Sequence, residues 1–113
     1  MSNICGNLSR IPDDIVVHAM SCLNGEISCF IRAVSIRYTF KSVTFRYYVE
    51  REPDDEERED AEIVLINFDS GHAPKLESGD IEFFVTEEPI GNLDPLDFML
   101  YARKERKEAR ADR

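Results

Sequence analysis

Two consecutive runs of alternating residues constrain this chain more than any other feature. Phe30, Val34, Ile36, Tyr38 and Phe40 share one parity, with Ser35, Arg37 and Thr39 on the other. Beyond Lys41-Ser42, Val43, Phe45, Tyr47 and Val49 alternate with Thr44, Arg46 and Tyr48. Period-two alternation marks a strand with one dry face and one wet face, because successive side chains leave the pleat in opposite directions. So short a link as Lys41-Ser42 permits only a tight hairpin, although it lacks the glycine such turns prefer. An antiparallel pair covered on one side is therefore expected. Arg32 breaks the stripe, since it falls on the apolar parity.

Cover for the dry face lies on either side of this pair. Pro12-Asp13-Asp14 is a good helix start, with proline in the first turn and acids at the positive end of the dipole. Ile15, Val16, Ala19, Met20 and Leu23 follow at helical spacing, and Asn24-Gly25 stops the helix with a glycine free to go left-handed. Asp54 can cap a second helix, with Glu57 closing a capping box, and Ala61, Val64, Leu65 and Phe68 supply its core face. Asp69 to Gly79 reads as a loop. Ile81, Phe83 and Val85 alternate with Glu82, Phe84 and Thr86 as a third strand, and Glu87 to Asp94 is a connection. Phe98, Leu100 and Ala102 alternate with Met99, Tyr101 and Arg103 as a fourth strand. The order α-β-β-α-β-β predicts an α+β fold: a four-stranded antiparallel sheet made of two hairpins, with two helices on one face. At 113 residues there is room for one domain, expected over 1–105, followed by a charged tail over 106–113.

Charge narrows the partners. The net charge is −9, from 23 acidic and 14 basic residues. A phosphate-binding surface needs cations to displace counterions, so nucleic acid is not expected as a direct partner. The segment 50–62, EREPDDEEREDAE, holds nine acids and two bases and carries most of the charge. Three readings fit it: a solvated helix face that also caps the helix, a docking surface for a cationic partner, or a divalent-metal site. DDEERED lacks the alternating oxygens and glycine of a calcium loop, so no metal is expected.

The remaining chemistry is sparse. Cys5, Cys22 and Cys29 match no zinc or redox spacing, and three free thiols suit a reducing compartment. With no signal-like start and no apolar run near the length of a membrane span, a cytoplasmic location away from membrane is expected. His18 and Cys22, at i and i+4, would need further groups to make a nucleophilic site, and His72 stands alone in its loop. No glycine-rich phosphate loop, HExxH or nucleophile elbow occurs, so neither catalysis nor a cofactor is expected. Tyr48 and Phe84 lie on the wet parity, either packed across neighbouring strands or serving as an apolar anchor for a partner.

Three stretches together resemble a known family. They are LNGEISCFIRAVSIRY from Leu23, FRYYVEREPDDEEREDAEIVLINF from Phe45 and TEEPIGNLDPLDFMLYARKE from Thr86. This combination is similar to the CdiI-type immunity proteins of contact-dependent growth inhibition systems, over about residues 15–105, with Asn24 where a leucine is usual. The resemblance implies one-to-one binding of the cognate toxin's C-terminal domain, often a nuclease with a basic substrate surface. On that basis Glu50, Glu52, Asp55, Glu56, Glu59 and Asp60 face the toxin, with Tyr48 as anchor. If the acidic helix start instead serves the fold, specificity lies in the 69–79 loop or the 87–94 connection. The competing expectation is a small acidic regulatory or adaptor domain that binds another cellular protein. The exposed strand edges also leave a homodimer open.

Overall fold

Capping sets the two helices where the sequence places them. The computed structural model describes residues 11–105. The expectations for the N-terminal segment, Cys5 and the 106–113 tail lie outside the described residues. Helix α1 spans Asp13–Leu23, and the Pro12 carbonyl accepts from the amides of Ile15 and Val16. Gly25 follows with φ at 85°, the left-handed conformation that ends a helix cheaply only at glycine. Helix α2 spans Asp55–Ser70 behind the Asp54 capping box.

Strands β1 (Ile31–Thr39) and β2 (Ser42–Val49) form the expected antiparallel hairpin, and Thr39 pairs with Ser42. The turn is thus Phe40-Lys41, one residue earlier than expected. Thr39 Oγ1 accepts from the amides of Lys41 and Ser42, which satisfies the turn without glycine. Phe40 sits on that turn and is 61% exposed, so it leaves the core despite its parity. Arg32 is explained by a bulge. Ile31 pairs with Val49 and Ala33 with Tyr48, so Arg32 is the extra residue and the stripe changes phase there.

The α+β class, the four strands and the element order agree with expectation. The wholly antiparallel arrangement does not. Strand β3 (Ser78–Val85) pairs parallel to β2, and β4 (Phe98–Ala102) crosses to pair antiparallel with β1, giving the order β3-β2-β1-β4. The cause is the helix between β2 and β3. Sixteen residues of α2 span roughly 24 Å at 1.5 Å each. That returns the chain to the start of an eight-residue strand of roughly 26 Å. A strand–helix–strand unit of this kind makes a parallel pair.

Both helices lie on one face. Ala19 and Leu23 of α1, and Ala61, Val64 and Phe68 of α2, bury with Val34, Ile36, Val43, Phe45, Tyr47 and Val49. The opposite face is only partly wet. The 86–97 connection, with a 3-10 turn at Ile90–Asn92, lays Leu93 and Ile90 over Ala33, Tyr48 and Met99 as a second small core.

Candidate functional site

The acids at the start of α2 divide into two groups by what they touch. Asp54 accepts from the Glu57 amide at 2.8 Å, and Glu57 accepts from the Asp54 amide at 2.9 Å. Glu57 also takes a two-pronged pair from Arg51 at 2.7 and 2.8 Å. Those Arg51 hydrogen bonds, with the Asp54 amide behind them, hold the Glu57 carboxyl down at about 2. These two acids serve the fold. Glu50 and Glu52, both expected at the site, are also partnered: Glu50 with Arg103 at 2.6 Å and Glu52 with Arg58 at 3.4 Å.

Asp55, Glu56, Glu59 and Asp60 differ. None of their carboxylates makes a hydrogen bond or ion pair with any described residue. Asp55, Glu56 and Glu59 are exposed and Asp60 is half-buried. Asp55 with Glu59, and Glu56 with Asp60, stand at i and i+4, where like charges destabilise a helix by about 0.2–0.5 kcal/mol a pair. The positive end of the dipole offsets part of that cost within the first turn only. A cation from beyond the described residues would relieve the rest.

Tyr48 is corrected by the structure. It is 3% exposed, its hydroxyl donates to the Asp94 carbonyl at 2.7 Å, and Leu93 packs in the same cluster. It therefore offers a partner no apolar surface. Its cross-strand packing on Phe84 does occur, edge to face with centroids 5.9 Å apart. Arg46 stacks over Phe84 at 4.2 Å and pairs with Glu82 at 2.8 Å, so this patch is internally matched.

Two apolar residues on α2 were missed. Ile63 and Ile66 are 44% and 61% exposed. They share a stripe with Glu59 and Glu62, at helical steps of three and four. The signal was present, since the core face Ala61, Val64, Leu65, Phe68 leaves both isoleucines outside it.

The expected 69–79 loop is shorter in the structure, because α2 runs to Ser70 and β3 begins at Ser78, and this link is tied down internally. Asp69 takes Lys75 at 2.8 Å and the Leu76 amide, and His72 is held between the Pro74 carbonyl and the Tyr38 hydroxyl. His18 pairs with the Phe68 carbonyl at 3.0 Å and stacks on its ring. Cys22 packs against the core, and burial pushes its thiol up, away from a reactive thiolate. Among the described residues, no group of three or more His, Cys, Asp or Glu is placed to hold a metal ion. No helix among them is long and apolar enough to cross a membrane.

A surface of uncompensated carboxylates beside exposed isoleucines suits the binding of another macromolecule. Comparison with known proteins gives the family. No curated protein matches the chain. Residues 12–105, which include both helices and all four strands, match the family described as MafI2 immunity protein. The immunity class implied by the sequence resemblance stands, with MafI2 in place of the CdiI type, and with it the binding and neutralising of a cognate toxin. The chain belongs to the MafI2 immunity protein family.

Proposed function

We propose that this chain neutralises a nuclease-type toxin domain in a one-to-one complex, by laying the acidic face of α2 over the toxin's basic substrate surface. The observation that carries this reading is the set Asp55, Glu56, Glu59 and Asp60, four carboxylates with no hydrogen-bond or ion-pair partner among the described residues. A surface that binds nucleic acid is cationic. An acidic face meeting it accelerates encounter by charge attraction, while desolvated contacts set the lifetime of the complex. Glu50 and Glu52 extend the same negative field, although each already holds an arginine. The wider reading, delivery of the toxin by a contacting cell and capture in the cytoplasm, is supported by the resemblance in Leu23–Tyr38, Phe45–Phe68 and Thr86–Glu105.

The test is a titration of the neighbouring gene's toxin domain against a nucleic-acid substrate. Cleavage should fall linearly with added chain and cease near one equivalent. A toxin domain that binds the chain yet cleaves at its full rate when saturated would show that the substrate surface is left open.

A further inference from the structure

Among the described residues, the sheet leaves one long edge open, and it runs alongside α2. In the order β3-β2-β1-β4, strand β3 has a described neighbour on one side only. Thr86 donates its amide to the Val49 carbonyl, and Ser78 donates to that of Lys41. In a parallel ladder, amides of one parity point the same way. The even residues of β3 therefore face β2, and the amides and carbonyls of Gly79, Ile81, Phe83 and Val85 face outward. The β2–β3 register runs unbroken from Ser78 to Val85, so no bulge twists this edge away. Neither proline nor lysine lies within SGDIEFFV to blunt it.

Beside this edge, α2 and β3 enclose a shallow groove. Arg58 and Glu62 line it with Ile81 and Phe83, and farther along Leu65 and Ile66 line it with Gly79. Ile81 and Phe83 are half-buried there, and Val85 is 47% exposed. Glu62 and Glu77, which line the groove, and Glu59 one turn away, make no ion pair with a described residue. Of the nearby cations, Arg58 is matched with Glu52 and Lys75 with Asp69, and Lys41 lies over the Phe40 ring. The groove thus has an apolar floor, a negative rim and a free row of backbone groups.

We infer that an extended basic segment of the toxin docks here, adding as a strand to the β3 edge and setting apolar side chains against Ile66, Ile81 and Phe83. This rests on the immunity reading above and deepens it by saying where the toxin sits and in what conformation. Main-chain hydrogen bonds supply affinity in strand addition, and alternate side chains supply selectivity. The unpaired acids set the sign of the occupant's charge.

Amide exchange on the intact chain, alone and saturated with the toxin domain encoded beside it, tests the placement. The amides of Ile81, Phe83 and Val85 should slow by about tenfold or more in the complex, while those of β4 stay unchanged. Ile66→Lys puts a cation on an exposed position, keeps the fold by circular dichroism, and should weaken binding by about 10–100-fold. A complex that forms with unaltered exchange along β3 and full affinity for I66K would overturn the groove and leave the immunity reading intact. Absence of any complex with the wild-type chain would overturn both. Protection of the same amides in the chain alone, rising with its concentration, would assign the edge to a second copy and overturn the toxin placement.

Discussion

Replacing Glu105 by glutamine tests how the end of the last strand is fastened to the sheet. Arg32, the bulge residue, is 5% exposed. Its Nε and Nη2 donate to the two Glu105 oxygens at 2.9 Å each, and its Nη1 donates to the Thr86 carbonyl. Arg103 brings a second cation onto the same carboxylate at 2.7 Å and reaches across to Glu50. The Arg32 hydrogen bonds hold the Glu105 carboxyl at about 2, against an ordinary value of 4.5. Unscreened, that gap corresponds to about 3.4 kcal/mol at 1.36 kcal/mol per unit. The Glu105 side chain is 30% exposed, so water lowers the figure. Glutamine, in turn, leaves buried guanidinium donors facing a neutral group, which raises it. About 2 kcal/mol is therefore expected for Glu105→Gln at pH 7. The folded value lies below the unfolded one, so this stability is present above about pH 4.5 and is lost as pH falls toward 2. Urea melts of wild type and E105Q at pH 7 and 3.5 read both effects, and the gap should be narrower in acid. Equal stability at pH 7, or a gap that widens in acid, would refute the reasoning.

Two further substitutions separate acids of the fold from acids of the surface and probe the core. Asp54→Ala removes the helix cap and should cost about 1 kcal/mol in urea melts, while leaving the association rate with toxin within about twofold; a larger fall in rate would make Asp54 part of the binding face. The Tyr47 hydroxyl is buried and has no hydrogen-bond partner among the described residues. Tyr47→Phe should therefore hold or raise stability, by up to about 2 kcal/mol, and a loss beyond about 1 kcal/mol would mean that the hydroxyl is satisfied.

What the sequence discloses here is local chemistry. The Asp54–Glu57 box, the stop at Gly25 and the β1–β2 hairpin each depend on residues close in sequence, and all three form, the hairpin with its turn one residue earlier than read. Strand partnership is another matter. Alternation in Ile81–Val85 shows which side chains share a face, but it is blind to the neighbouring strand, so β3 was assigned to β4 although the helix before it directs it to β2. Arg32 looked like an error in the stripe, whereas the bulge that explains it depends on the Val49 and Tyr48 register. The parity of Tyr48 was right and its exposure was not, because Leu93 covers it from 45 residues away. At the surface, the acidic run was plain, but its division into partnered and unpartnered carboxylates depends on Arg51, Arg58 and Arg103 in three dimensions. Ile63 and Ile66 are legible as residues outside the core stripe, and only the fold shows that Ile66 lines the groove beside the β3 edge.

The most direct measurement is the association rate of the toxin domain with a chain in which Asp55, Glu56, Glu59 and Asp60 are all lysine, taken at low and at high salt. Charge attraction predicts a rate at least about tenfold below wild type at low salt, with the difference shrinking as salt screens the surface. A reversed chain that associates as fast as wild type in dilute buffer would contradict the claim that these carboxylates bring the toxin in.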